Sequence, residues 1–131
     1  MKPTLMLVAL SLFACKKDLA GNETPLPDIR GRWELRRSVG GWGGDQSFVP
    51  GNGTILEYTN SLERSYTGGR LQSTRVYRLL PDTTWSGIAG VRIITDTASW
   101  RPRTFVSLRE GLLWFRTEIV DVGSVAYERI P

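Results

Sequence analysis

From residue 29 onward the chain is built of short apolar–polar runs, cut at intervals by Gly, Pro, Asn and Asp. Arg32-Trp33-Glu34-Leu35-Arg36 alternates with a period of two, as do parts of 54–58 and 72–80. Further runs lie at 91–95, 104–108, 112–118 and 124–130. A period of two sends neighbouring side chains to opposite faces of a pleated strand, so one face can be buried and the other wetted. Between the runs stand turn signals: Thr59-Asn60-Ser61, Gly68-Gly69, Pro81-Asp82, Glu110-Gly111 and Asp121-Val122-Gly123. Gly68-Gly69 suits a two-residue hairpin loop, and Glu110-Gly111 suits another. No window after residue 15 carries an apolar stripe at helical spacing. This pattern predicts an antiparallel all-β domain, sandwich or barrel, of seven to nine strands with little helix.

Residues 39–53 break the pattern. Glycine at the density of Gly40-Gly41-Trp42-Gly43-Gly44 holds a strand ladder poorly, because it loses the most backbone entropy and has no side chain to pack. The segment reads as a long loop after the first strand. Its two aromatics, Trp42 and Phe48, predict that it folds back on the body as a lid.

The N-terminal part is different in kind. Residues 4–14 carry no charge, follow Lys2, and lead into Cys15-Lys16-Lys17. The span is too short for a bilayer-crossing helix, which needs about 20 apolar residues, and it has the layout of an export signal. Cys15 is the only cysteine in 131 residues, so an internal disulfide is excluded. Leu12-Phe13-Ala14-Cys15 resembles the lipobox of bacterial lipoproteins. The resemblance implies removal of residues 1–14 and attachment of lipid to Cys15. Residues 15–28, with Pro25 and Pro27, then read as a tether, and residues 29–131 as one domain.

A second resemblance covers the domain. Gly31-Arg32-Trp33 on the first strand is similar to the Gly-x-Trp signature of lipocalins, and Tyr127-Glu128-Arg129-Ile130 to the late-strand Arg that accompanies it. The ordering resembles that of lipocalin-like domains in bacterial envelope lipoproteins. It implies an all-β fold, a small antiparallel up-and-down β-barrel of lipocalin type in which the Arg129 guanidinium lies over the Trp33 ring at the closed end, with a first loop overhanging an open mouth. Independently of any family, a cation over an indole face stabilises by about 0.5–2 kcal/mol. Arg129 could also tie carbonyls near the start of the first strand.

The residue inventory narrows the chemistry. The chain has no His, which removes the usual general base and metal ligand. The lysines are Lys2, Lys16 and Lys17, all before the domain, leaving a serine nucleophile no such partner there. The acidic residues show no calcium-loop spacing. Glu34, Glu57, Glu118 and Glu128 are the carboxylates to weigh for glycosidase work, and their alternating context predicts solvated outward positions. No enzyme, metal or cofactor is expected. The 17 basic and 13 acidic residues are scattered along the chain, which argues against nucleic acid as a partner. Asp82-Thr83-Thr84 and Asp96-Thr97-Ala98 resemble an O-glycosylation sequon, though the same residues serve turn chemistry.

Binding is the better reading. Of five Trp, Trp33 and Trp114 fall within strands and are expected in the core. Trp42, Trp85 and Trp100 fall in loops or at strand ends, where a large rigid face can stack on a ligand. Trp42, Phe48, Trp85 and Trp100 are therefore the candidates to line a mouth, with Arg101 or Arg103 for an anionic group. The sequence leads to a lipid-anchored envelope protein, placed at the outer membrane. Its barrel takes a small apolar or amphipathic molecule or a glycan. The alternative is an accessory or inhibitory interaction module whose barrel is filled by its own side chains.

Overall fold

The structure, a computed structural model, describes residues 24–95, 102–119 and 121–131. Cys15, the segment read as a signal and most of the segment read as a tether therefore lie outside the described residues, as do Trp100, Arg101 and Asp96-Thr97-Ala98. The described residues form nine β-strands and no helix: β1 (Gly31–Val39), β2 (Gln46–Ser47), β3 (Ile55–Tyr58), β4 (Leu62–Thr67), β5 (Arg70–Thr83), β6 (Ala89–Thr95), β7 (Thr104–Arg109), β8 (Leu112–Thr117) and β9 (Ser124–Ile130). Every pairing is antiparallel. Each strand from β3 to β9 pairs with the next in sequence, and β1 pairs with both β3 and β9. The sheet thus closes on itself, through β1–β9, as an up-and-down barrel. β2 is a two-residue addition to β1 at Arg37 and Ser38, inside the segment whose glycines argued against any strand.

Both short hairpin loops occur where their glycines suggested. Gly68 and Gly69 join β4 to β5 with φ of 55° and 78°, and Glu110 and Gly111 join β7 to β8 with φ of 54° and 75°. Paired positive φ values match the right-handed twist of the strands they connect. β4 has no counterpart among the sequence runs. Its Leu-Glu-Arg-Ser-Tyr-Thr is largely polar because Glu63 points into the barrel, buried beside Tyr58.

The core is one cluster of buried residues. Ile29, Trp33 and Leu113 are the largest fully buried side chains, joined by Tyr58, Tyr77, Val91, Ile93, Val106 and Phe115. Trp114 is not among them. Parity decides this: Leu113 and Phe115 face inward, so Trp114 faces out. There it lies between the guanidinium groups of Arg37 and Arg109, at 5.8 and 4.8 Å from its ring centroid. Its neighbour across the ladder, Ala126, is fully buried.

The β1–β9 seam carries a tight arrangement. Trp33 and Arg129 are direct partners in the ladder. The Arg129 Cζ sits 4.3 Å from the Trp33 ring centroid, and its Nη1 donates to the Arg30 carbonyl at 2.6 Å. On the other side the indole Nε1–H donates to the Ile29 carbonyl at 2.8 Å. Gly31 is required twice over. Its φ is +123°, and a Cβ there would fall 2.5 Å from the Arg129 Nη1. At the opposite end Gly123 packs so closely on Val39 that a Cβ would meet its carbonyl oxygen.

Replacing Arg129 by Ala removes one cation–aromatic contact and one charged hydrogen bond, a loss of about 1–2 kcal/mol. The expected fall in melting temperature is about 5–10 °C for a domain of this size. Thermal unfolding followed by circular dichroism checks this, and an unchanged midpoint would show that the stack contributes nothing.

Candidate functional site

The barrel core does not fill the interior. A cavity of about 400 Å³ lies inside, lined on the apolar side by Leu56, Ile93, Ile94, Phe115 and Val125 and on the polar side by Tyr58, Glu63, Arg75, Arg92, Thr104 and Tyr127. Thr95 and Pro102, which bracket residues 96–101, complete the lining. The strand pairing explains why space remains. β5 is long and changes partner: residues 70–76 pair with β4, whereas 77–83 pair with β6. Among the described residues, 70–76 therefore have no strand on their second side. The cavity meets this stretch at Arg75, whose side chain is 31% exposed.

Glu63 is the most unusual group in the cavity, a carboxylate only 4% exposed in the wall of the barrel. A buried carboxylate is tolerated only when its oxygens are occupied, and here both are. Oε2 accepts from the Tyr58 hydroxyl at 2.7 Å. Oε1 accepts from Arg75 through Nε at 3.1 Å and through Nη2. Glu63 faces Tyr58 across one ladder and Arg75 across the other, so the three side chains share a face by register alone.

The rings around the pair form one aromatic wall. Tyr58 packs edge-on to Tyr77 with centroids 5.0 Å apart and lies over Phe115 at 6.4 Å. Phe115 in turn meets Tyr127 edge-on at 5.7 Å. Burial, reinforced by the Glu63 carboxylate, pushes the Tyr58 hydroxyl well above its usual range. Burial does the same to Tyr127, with Glu63 the second cause. Both phenols therefore stay protonated near neutral pH. A smaller hollow of about 330 Å³ lies outside the core, between residues 26–30 and Asn60, Tyr77, Arg78 and Leu79. Asp28 there holds Arg30 in a two-pronged ion pair, and that guanidinium keeps its carboxyl far below the usual range.

The aromatics singled out from sequence are placed elsewhere. Trp42 is 92% exposed and Trp85 73% exposed, and neither they nor Phe48 line the cavity. The glycine-rich loop does fold back, but over the outside of β1 and not over a mouth. Its attachment is Glu34, whose Oε1 accepts from the Gly51 N–H at 2.7 Å and whose Oε2 accepts from the Gly53 N–H at 3.3 Å. Arg36 completes the clamp, donating to Glu34 at 2.6 Å and to Glu128 at 2.8 Å. Glu34 is accordingly 5% exposed, not solvated as its alternating context suggested.

Arg103 and Trp85 are brought together, with Cζ 5.8 Å from the ring centroid, yet Arg103 is occupied. It donates to the Thr83 carbonyl at 2.8 Å and pairs with Glu118 at 2.8 Å. Glu118 in turn accepts from the Trp85 N–H at 2.8 Å, and its side chain is only 7% exposed. Arg103 is thus a staple for the turn at 84–88. Asp82 bonds the Thr83 N–H at 2.7 Å and faces Arg92 and Arg103, a structural use of that tripeptide.

The residues that sequence reasoning missed are Tyr58, Glu63, Arg75 and Tyr127. The available signal was Glu63 itself. In a strand flanked by two turns, an acid at the same parity as inward-facing Tyr58 stands out once the β3–β4 register is known. Comparison with protein-family models, curated proteins and solved structures finds no match.

The Glu34 clamp has a pH signature. Hydrogen bonding to Arg36, then to the Gly51 N–H, lowers the carboxyl from its ordinary 4.5. A lowered folded-state value means the stabilisation is present above the unfolded pKa and is lost as pH falls through the folded one. Glu34→Gln should lower the melting temperature at neutral pH and flatten its decline on acidification. Equal slopes for the two proteins between neutral and strongly acidic pH would refute the clamp.

Proposed function

We propose that this protein is a lipid-anchored envelope lipoprotein whose barrel binds a small amphipathic molecule. The observation that carries the reading is the interior cavity, within the 300–1,000 Å³ usual for small-molecule sites. Its wall is apolar over Leu56, Ile93, Phe115 and Val125, and a compact polar group sits at Glu63, Arg75 and Tyr127. An apolar surface with a few convergent polar groups is the usual form of a site that holds one orientation of a ligand. The anchoring half rests on Leu12-Phe13-Ala14-Cys15 and the absence of any other thiol. The lipocalin resemblance is supported by barrel closure and by the Trp33–Arg129 stack at the closed end. The reading assigns binding and no catalysis.

An accessory or inhibitory role toward another envelope protein is the second reading. Trp42 and Trp85 favour it, because exposed indoles on loops are common anchors at protein contacts.

Native mass spectrometry of the protein purified from its own envelope tests the binding reading. A reproducible bound small molecule is expected, and Val125→Trp, which fills the cavity, should remove it while the β-sheet spectrum is kept. A clean apo mass for the wild type would sink the ligand reading in favour of the second. For the anchor, Cys15→Ser should abolish the mass added by lipid and halt processing at residue 14. Wild-type protein of unmodified mass would end that proposal.

A further inference from the structure

Trp42 and Trp85 have no part in the barrel interior, and they stand on loops that adjoin one another. Trp42 belongs to the loop after β1. Trp85 and Ile88 belong to the turn between β5 and β6, and Ile119 and Val122 to the loop between β8 and β9; all five are exposed. Gly41 packs on the backbone of the β8–β9 loop, where a Cβ would lie 3.0 Å from the Asp121 carbonyl oxygen and 3.1 Å from the Gly123 nitrogen. From the same loop, the Glu118 carboxylate accepts from the Trp85 N–H at 2.8 Å. An exposed apolar patch of this kind marks a contact with a protein or with a membrane.

The hydrogen bonds of the loops favour the membrane. A lipid interface offers no donors or acceptors at fixed positions, so a segment that enters it has to satisfy its own backbone. These loop tips do so. The Gly40 N–H donates to Asp45 at 2.9 Å and the Gly44 N–H to the Gly41 carbonyl at 3.3 Å. In the 84–88 turn, Gly87 donates to the Thr84 carbonyl at 2.9 Å and Ile88 to the Thr84 hydroxyl at 3.0 Å. Val122 donates to the Ile119 carbonyl at 3.4 Å. Residues 40–44 and 84–88 carry no charged side chain, so what leaves water there is mainly apolar surface. Trp is also the side chain that suits the head-group level of a bilayer, with an apolar ring and a wet N–H.

The chain before the barrel brings a bilayer within reach. On the reading that Cys15 carries lipid, residues 15–28 span at most about 50 Å. The Trp42 loop stands at the far end of β1, about 30 Å from the strand's start, so the leash is long enough for the loop to lie on the bilayer. A tethered contact meets that surface at high effective concentration and need only be weak. We propose that Trp42, Trp85 and their aliphatic neighbours form a second, shallow contact with the bilayer to which the protein is anchored. The three loops bring the acids Asp45, Glu118 and Asp121 and no Lys or Arg, so the contact is apolar and not electrostatic. The same indoles support the partner-protein reading, and lipid contact would take them from it.

The test uses the lipidated protein purified from its own envelope and reconstituted into phosphatidylcholine vesicles with plain or brominated acyl chains. Bromine quenches indoles that enter the bilayer. The wild type is expected to lose emission in the brominated vesicles, and the loss should survive high salt, which screens charge but not apolar contact. Trp42→Ser combined with Trp85→Ser should remove most of the loss, and each single change part of it. The β-sheet spectrum should be unchanged, because both side chains are exposed. Equal emission in the two kinds of vesicle would overturn the proposal and leave the indoles to a partner protein. Quenching that persists in the double variant, or that vanishes in high salt, would overturn it too, since another face or an electrostatic contact would then meet the lipid. Intact mass of the same sample keeps the two readings apart. An unmodified mass ends the anchored reading and this proposal with it, whereas an anchored protein with unquenched indoles ends this proposal alone.

Discussion

The structure depends first on the seam where β9 returns to β1. A sheet of short strands has an interior only if its ends meet, and here Arg129 secures the meeting from three directions. It pairs with Trp33 in the ladder, covers the indole face at 4.3 Å, and reaches over Gly31 to the Arg30 carbonyl. The indole is held in turn by the Ile29 carbonyl, so the chain entering β1 is drawn across the barrel end and buries Ile29 almost completely. Closure, the plug and the fixed Trp33 ring are one construction. The glycine at position 31 belongs to it, because any side chain there would occupy the space of the guanidinium.

The volume left inside the barrel is decided by which large side chains point inward. Trp42 and Trp85 sit in loops and Trp114 faces out between two arginines, so three of the five indoles contribute nothing to filling the interior. The ring is further loosened where β5 leaves β4 for β6. The result is an aromatic-walled cavity in place of a solid core. A buried ion pair within it is poor evidence for stability, since desolvation offsets most of the attraction. Its consequence lies in polarity: it sets Glu63 and Arg75 side by side in an otherwise largely apolar and aromatic wall.

Two further carboxylates show how the loops are held. Glu34 and Glu118 both leave the barrel on its outer face, and both are covered by a loop whose backbone N–H groups they accept. Each also engages an arginine, Arg36 or Arg103. The long glycine-rich segment and the 84–88 turn are therefore pinned to the outer wall by the same device.

Much of the fold was legible in the residues alone. Alternation in 32–36 and 124–130, the Gly68-Gly69 and Glu110-Gly111 loops, and the absence of a helical stripe sufficed for an antiparallel all-β domain, with sandwich and barrel both open. The pairing of Trp33 with Arg129 across the seam was expected from the resemblance to the lipocalin signature, and the register places them there. Strand β4 was not legible, because its inward residue is an acid and the usual sign of an inward face is apolarity. The site was lost with it: Glu63 lies 5 residues from Tyr58 and 12 from Arg75, and only the β3–β4–β5 register brings the three to one face. Local pattern determines which segments become strands, since a two-residue period acts within each strand by itself. Parity, register and the partner change of β5 are decided only when the sheet closes. Those three turned Trp114 outward, set Glu63 inward and left the cavity between Arg75 and Tyr127.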